Sequence, residues 1–137
     1  MKNKLVYICF IMIAGFASFT SCKKKNDPHV PPSVEFKTSL GYCYKDTVVG
    51  LQDTLNVGIV ATKTEDDLKS YNVSYSYDGA TTTSTFYNYL ATETEYTGLN
   101  KDVQIITRNQ AGSEKWIFSI VDRDGNITQK QFTLTVQ

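Results

Sequence analysis

The sequence has little from which a reactive site could be built. It contains one histidine and three cysteines, and it carries 14 basic and 14 acidic residues, so its formal net charge is zero. A nucleic-acid binder would show a basic patch or stripe, and we therefore expect no nucleic-acid partner. The single histidine, His29, lies in a proline-rich segment, so a cysteine–histidine pair for nucleophilic catalysis is not expected either.

Proline is confined to one short stretch. Pro28, Pro31 and Pro32 all fall there. We interpret residues 22–33 as a tether, whose extended geometry at about 3.1 Å per residue would reach roughly 30 Å. Residues 34–137 contain no proline, so continuous β ladders are permitted throughout them.

Long apolar runs are also scarce. The one clear run covers residues 5–19 and follows the positively charged Lys2 and Lys4. It is shorter than the about 20 residues that span a bilayer, and this length and charge pattern is typical of a signal peptide.

The end of that run contains Phe19-Thr20-Ser21-Cys22. It resembles a bacterial lipobox in the looser form found in Bacteroidota, with Phe19 where the usual pattern has Leu. The resemblance implies that residues 1–21 are removed and that Cys22 is lipidated, with an uncleaved signal anchor and ordinary secretion as alternatives. We expect a lipid anchor in the bacterial cell envelope, at the outer membrane, with the side of the membrane left open.

The remaining cysteine pattern excludes a structural disulfide. Cys9 would leave with the signal peptide and Cys22 would carry lipid, so Cys43 has no partner within the chain. A lone thiol of this kind is most often buried as a small hydrophobic side chain. Intermolecular pairing and reactivity are the alternatives.

Residues 34–137 are long enough for a single core and too short for two ordinary domains. Apolar residues alternate with polar ones at a period of two, and turn signals such as Asp78-Gly79 separate the runs. Residues 64–67 are predicted to form a helical turn. The pattern predicts a core of alternating apolar residues: Val57, Ile59, Trp116, Phe118, Ile120, Phe132 and Leu134.

Three segments carry a family resemblance. Residues 53–57, 71–79 and 116–126 resemble strands and hairpins of bacterial immunoglobulin-like domains, without the cysteine pair of antibody domains. The resemblance implies an all-β fold, an antiparallel immunoglobulin-like sandwich of about seven strands. It also implies service as a spacer, an adhesion element or an accessory subunit of the envelope, although a fold alone does not assign a function.

Tyrosines suggest where a partner binds. The alternation places Tyr71, Tyr75 and Tyr77 on one face, which favours the core, whereas Tyr87 and Tyr89 remain open between core and surface. In immunoglobulin-like order, the tip farthest from the tether is the best contact surface for a protein or glycan partner. The predicted contact residues are Tyr77, Asp78, Gly79, Tyr87 and Tyr89.

One pattern in the sequence resembles a cation-binding loop, and it lies in the turn of the C-terminal hairpin. Asp122, Asp124 and Asn126 alternate as in a calcium loop, but Ile127 and Thr133 occupy the positions where that loop needs glycine and glutamate. Turn chemistry accounts for the same residues. We therefore expect a structural turn, no metal and no other cofactor, with these three residues as the metal candidates.

Two tripeptides resemble sites that Bacteroidota glycosylate on exported proteins. Asp46-Thr47-Val48 and Asp53-Thr54-Leu55 both have the pattern Asp-Thr-aliphatic. The resemblance implies O-glycosylation at Thr47 and Thr54, and an ordinary threonine at a strand edge is the alternative.

These patterns favour a membrane-anchored binding, adhesion or spacer module without an enzymatic role. Two alternatives stay open. One is a small envelope hydrolase using a carboxylate pair such as Asp122 and Asp124, although residues two apart in a turn do not guarantee the separation that acid and base need. The other is a calcium-dependent carbohydrate-binding accessory protein.

Overall fold

A computed structural model describes residues 29–137, so the predicted lipidation site Cys22 lies outside the described residues. This part of the chain is built from strands and one short 3₁₀ turn at Glu93–Glu95. No helix within it is long and apolar enough to cross a membrane. The strands are β1 Ser33–Phe36, β2 Thr47–Val49, β3 Thr54–Thr62, β4 Leu68–Tyr77, β5 Ser84–Leu90, β6 Gly98–Ile106, β7 Gly112–Asp122 and β8 Ile127–Val136.

The strands form two sheets. One has three strands in the order β1-β3-β6, and the other has five in the order β2-β8-β7-β4-β5. Neighbouring strands are antiparallel except that β2 runs parallel to β8. The predicted fold class, an immunoglobulin-like β-sandwich, is confirmed, with eight strands rather than about seven.

The core lies between the two sheets, because the period-two alternation turns one face of each long strand inward. All seven predicted core residues are buried, including Trp116 and Phe118. The ring of Phe118 lies 5.2 Å from that of Phe36 and 5.5 Å from that of Phe132. Fully burying one such side chain contributes about 1.5–3 kcal/mol, so these aromatic contacts stabilise the sandwich.

The two ends of the sandwich differ in their turns. At one end, Asp78 and Gly79 have φ angles of +52° and +77°, and the N–H of Ala80 donates to the carbonyl of Tyr77 at 2.9 Å. Asp and Gly tolerate this left-handed geometry, so the turn predicted at Asp78-Gly79 is confirmed, and the loop then continues to the start of β5 at Ser84. We call this the hairpin end.

The opposite end holds the start of β1. Ser33 pairs with Thr62, and the N–H of Arg123 donates to the carbonyl of Asp67 at 2.9 Å. The loop 63–67 and the turn 122–126 therefore lie beside the start of β1, as expected for immunoglobulin-like order. We call this the β1 end.

The predicted helical turn at residues 64–67 is wrong. The loop between β3 and β4 contains only bends, because residues 63–67 must carry the chain from one sheet to the other. The 3₁₀ turn lies instead at Glu93–Glu95, between β5 and β6. There the carboxylate of Glu95 accepts the N–H of Thr92 at 3.0 Å, which satisfies a donor at the start of the turn.

Candidate functional site

An aromatic surface lies along β5, an edge strand of the five-stranded sheet. We call Phe86, Tyr87 and Tyr89 the aromatic flank. Tyr87 pairs with Val73 on β4 while Thr85 pairs with Ser74, so Phe86 is the extra residue of a β-bulge.

The bulge changes which way Phe86 points. Its ring lies 5.3 Å from that of the buried Trp116, edge to face, which places Phe86 on the inward side of the sheet. Strict alternation would place Phe86 on the opposite face from Tyr87, but the extra residue of the bulge shifts the register. Phe86 nevertheless remains 43% exposed, and Leu90 on the outward face is 68% exposed.

Tyr87 and Tyr89 are half-buried and pack against the core. Their rings are stacked, with centroids 6.4 Å apart and planes within 6°. Tyr87 also lies 5.9 Å from Tyr71, a buried tyrosine whose pKa is raised by burial. The hydroxyl of Tyr71 has no hydrogen-bond partner among residues 29–137. Both flank tyrosines are therefore partly core and partly surface.

A polar cluster fixes the β1 end of the aromatic flank. The hydroxyl of Tyr89 donates to Glu95 Oε2 at 2.7 Å, and Lys101 Nζ lies 2.7 Å from Glu95 Oε1. Lys101 also lies over the Tyr89 ring, 4.0 Å from its centroid. The hydrogen bond from Lys101, followed by that from Tyr89, lowers the pKa of Glu95 to about 2. We call this cluster the glutamate clamp; it ties β5 to β6.

A second cluster occupies the hairpin end. Arg108 grips Asp78 with both terminal nitrogens, at 2.7 and 2.5 Å, and the N–H of Ser113 donates to the same carboxylate at 3.0 Å. These contacts, led by the one from Arg108, lower the pKa of Asp78 to about 2. The Arg108 guanidinium also lies 4.7 Å from the ring centroid of Tyr77. Tyr77 is half-buried beneath it rather than presented to solvent.

Sequence reasoning missed the buried carboxylate below this cluster. Glu114 is fully buried; it accepts the N–H of Arg108 at 2.8 Å and the indole N–H of Trp116 at 3.0 Å. The available signal was the position of Glu114, which shares the inward phase of the alternation with Trp116 and Phe118. A charged residue at an inward position is informative because such groups are buried only when they are paired.

The predicted contact residues do not form one surface. Strand β5 runs from the hairpin end back towards the β1 end, so Tyr89 meets Glu95 there, far from Asp78 and Gly79. The grouping of Tyr77, Tyr87 and Tyr89 at a single tip is therefore wrong. A contact role for each residue stays a prediction.

The metal candidates form a self-contained turn. Asp122 is buried, and its two carboxylate oxygens accept the backbone N–H of Asn126 at 2.8 Å and its side-chain amide at 3.0 Å. Asp124 lies 3.1 Å from Nδ1 of His29. Within residues 29–137, no group of three or more His, Cys, Asp or Glu side chains could hold a metal ion.

The opposite side of the sandwich is covered by the segment between β1 and β2. The N–H of Lys37 donates to the carbonyl of Gly58 at 2.8 Å, and the N–H of Cys43 donates to that of Asn56 at 2.8 Å. The segment thus follows the edge of β3 beyond the end of β1. Cys43 is half-buried beside a groove of about 310 Å³, and burial raises the pKa of its thiol, which disfavours the reactive thiolate.

A cluster on the outer face holds this segment in place. Lys37 Nζ lies 2.5 Å from Asp102 Oδ1, and the Tyr42 hydroxyl donates to Asp102 Oδ2 at 2.9 Å. The contact with Lys37 lowers the pKa of Asp102. The three side chains cross directly over Gly58, where an added Cβ would lie 2.5–2.7 Å from all of them. We call this cluster the aspartate clasp.

The two predicted glycosylation sites lie at strand beginnings. Thr47 is the first residue of β2 and Thr54 the first residue of β3, and both are exposed. Their modification stays a prediction.

No protein-family model and no curated protein matches the chain. Solved structures resemble it weakly. A family 123 glycoside hydrolase from Clostridium perfringens aligns with a TM-score of 0.49 and 9% identity, over 77% of this chain and 27% of the hydrolase chain. A Niemann-Pick type C2 protein from the Japanese carpenter ant aligns at 0.45 and 9%, over 77% and 89% of the chains. Murine CRIg aligns at 0.42 and 11%, over 77% and 98%. At such scores these likenesses carry no argument about function.

Proposed function

We propose that the protein is an exported, lipid-anchored binding module of the bacterial envelope, without a catalytic role, and that the aromatic flank is its contact surface. The observation that carries this proposal is the uncharged edge strand β5, which presents the partly exposed Phe86 beside two half-buried tyrosines. Aromatic side chains of this kind are enriched at protein interfaces because they supply large contact areas at low conformational cost.

The anchor rests on Cys22 and on the positive and apolar segments before it. The start of β1 lies beside the turn 122–126, so the tether would leave the sandwich at the β1 end. Mass spectrometry of the protein purified from its own membrane tests the anchor. We expect a chain that begins at Cys22 and carries acyl groups. An intact residue 1–21 segment or an unmodified thiol would contradict it.

The pKa shifts of three carboxyl groups bear on one catalytic role, that of a general acid. A general acid at neutral pH needs a raised pKa. The pKa values of Asp78, Glu95 and Asp102 are all lowered, each by a neighbouring Arg or Lys side chain. Of the carboxylate pair in the hydrolase alternative, Asp122 accepts two hydrogen bonds from Asn126, and Asp124 lies 3.1 Å from Nδ1 of His29.

Two matched variants test the contact surface. Phe86→Ser removes an aromatic ring that is 43% exposed on the flank, and Val60→Ser removes an apolar side chain that is 42% exposed on β3. The full chain and both variants would be used to capture crosslinked partners from the native envelope. We expect Phe86→Ser to reduce capture at least about tenfold, equivalent to roughly 1.4 kcal/mol, and Val60→Ser to leave it unchanged.

Folding must be controlled in the same experiment, because Phe86 touches Trp116. The melting temperature of each variant is measured alongside capture. Equal capture by wild type and Phe86→Ser, with both folded, would place the contact surface elsewhere.

A further inference from the structure

We propose that the aromatic flank binds a second copy of this chain through β5. The two β5 strands would pair antiparallel about a two-fold axis at Asn88 and join two five-stranded sheets into one. This inference rests on the proposed function and names the partner of the same surface.

The four edge strands of the sandwich differ in how well they are protected. β1 and β2 are only four and three residues long. β6 contains Lys101 and Asp102, both held in ion pairs. β5 has seven residues, Ser84–Leu90, and none is charged. Short length, charge and bulges are the usual devices that block pairing at sheet edges; β5 lacks the first two, and its bulge at Phe86 leaves residues 87–90 regular.

Backbone groups on the outer edge of β5 are available for pairing. The N–H of Ala91 donates inward, to the carbonyl of Lys69 on the β4 side, at 2.9 Å. Because donors alternate along a strand, the N–H groups of Tyr89 and Tyr87 also point to β4, whereas that of Asn88 points away. Among residues 29–137, no strand pairs with this outer edge.

The sequence around Asn88 is self-complementary. A two-fold axis at Asn88 makes Asn88 its own partner, in a pair that exchanges both backbone hydrogen bonds. The same axis places Tyr87 opposite Tyr89 of the second copy, in the closer type of pair, on the inward face where both rings are already stacked. Beyond Phe86 the bulge ends this regular register, so the pairing is centred on residues 87–89.

These features favour a second copy over an unrelated peptide. A two-fold axis requires one patch to fit itself, and residues 87–89 meet that requirement with identical or equivalent side chains. The strand carries no charge that would repel its own copy or select a charged partner. Anchoring on one membrane would also raise the effective concentration of copies.

Introducing a charge at the axis tests the identity of the partner. Asn88→Lys places two lysines opposite each other, and Asn88→Asp places two aspartates there, so each variant alone should repel its copy. Sedimentation equilibrium of the full-length chain in detergent would measure association. We expect the wild type to dimerise. Each variant alone should associate at least about tenfold more weakly, which corresponds to roughly 1.4 kcal/mol. An equimolar mixture of the two variants should recover association as a heterodimer.

A second pair of variants separates backbone pairing from side-chain effects. Asn88→Pro removes the outward N–H without removing a bond to β4, whereas Asn88→Thr keeps that N–H. Dimer loss in the proline variant with retention in the threonine variant supports the inference. A wild type that stays monomeric, or dimers that survive every substitution at Asn88, would overturn it.

These experiments also separate the second-copy inference from the proposed function, because each can fail without the other. If the wild type is monomeric but Phe86→Ser still loses an envelope partner that is not this chain, the flank remains a contact surface and only the second copy is ruled out. If neither association nor capture depends on β5, both proposals are wrong.

Discussion

Each side of the sandwich carries a cluster of one lysine, one carboxylate and one tyrosine, and the two clusters have opposite consequences for the neighbouring edges. In the aspartate clasp, Lys37 and Tyr42 both contact Asp102. In the glutamate clamp, Lys101 and Tyr89 both contact Glu95. The lysine also lies over the tyrosine ring in both, at 5.3 Å in the clasp and 4.0 Å in the clamp.

The difference comes from where each tyrosine stands in the chain. Tyr42 belongs to a connecting segment that runs along β3, and its backbone pairs with Asn56, so the clasp covers an edge. Tyr89 belongs to the edge strand itself, so the clamp fixes one end of β5 and leaves its outer edge open. The same side-chain chemistry thus helps to cover the edge of β3 on one side of the sandwich, whereas on the other side it holds β5 in place with its outer edge open.

The largest expected effect comes from the core beneath the open side. Trp116 contacts both Phe86 and Tyr75, at ring distances of 5.3 Å. Trp116→Ala should lower the free energy of unfolding by about 3–5 kcal/mol, because it leaves a large cavity. Denaturant titration measures this. Ile117→Ala, at the neighbouring outward position, serves as the control with a smaller loss, and a loss below about 1 kcal/mol for Trp116→Ala would contradict the buried position of the ring.

The next largest effect is expected from replacing the two flank tyrosines, which tests whether they support the fold. If Tyr87 and Tyr89 were surface residues only, replacing both with Ser would leave the melting temperature nearly unchanged. Since both rings are half-buried and stacked, we now expect the double variant to lose about 2–4 kcal/mol of unfolding free energy. An unchanged melting temperature would show that the flank is surface only.

Breaking the aspartate clasp should cost less. Gly58→Ala places a Cβ 2.5 Å from Lys37 Cδ and 2.6 Å from Asp102 Oδ1, so the side chains of the clasp must move apart. We expect a loss of about 1–2 kcal/mol. Gly98→Ala on β6, where an added Cβ would meet only the Ala61 carbonyl at 3.6 Å, controls for the backbone change. A stabilised Gly58→Ala protein would contradict the described packing.

The smallest effect is the pH response of the two clusters. The folded pKa of Glu95 is about 2, below its ordinary value of 4.5. A depressed pKa stabilises the fold above the unfolded value, and this stabilisation is lost as pH falls from about 4.5 towards 2. The pKa of Asp102 is lowered in the same direction. The melting temperature of the wild type should fall as the pH is lowered across this window, and that of Glu95→Gln should fall less. An equal dependence of melting temperature on pH in both proteins would contradict the clamp.

Local chemistry determined much of the fold. Period-two alternation identified the buried faces of β3, β7 and β8, and Asp78-Gly79 identified a turn, because both signals depend on residues adjacent in the chain. Asp122 and Asn126 were likewise recognised as a turn, and their hydrogen bonds lie within it. Export and lipidation were also predicted from local sequence, at residues outside the described part of the chain.

Only the tertiary structure decided the features that depend on pairing between distant residues. The bulge that turns Phe86 inward arises from the register of β5 against β4, which no local pattern specifies. The direction of β5 decided that Tyr89 meets Glu95 and Lys101 rather than the hairpin end, and the packing of β7 brought Glu114 under Arg108. Alternation fixes which face of a strand is inward, but it does not determine which strand lies beside it or which edge stays open.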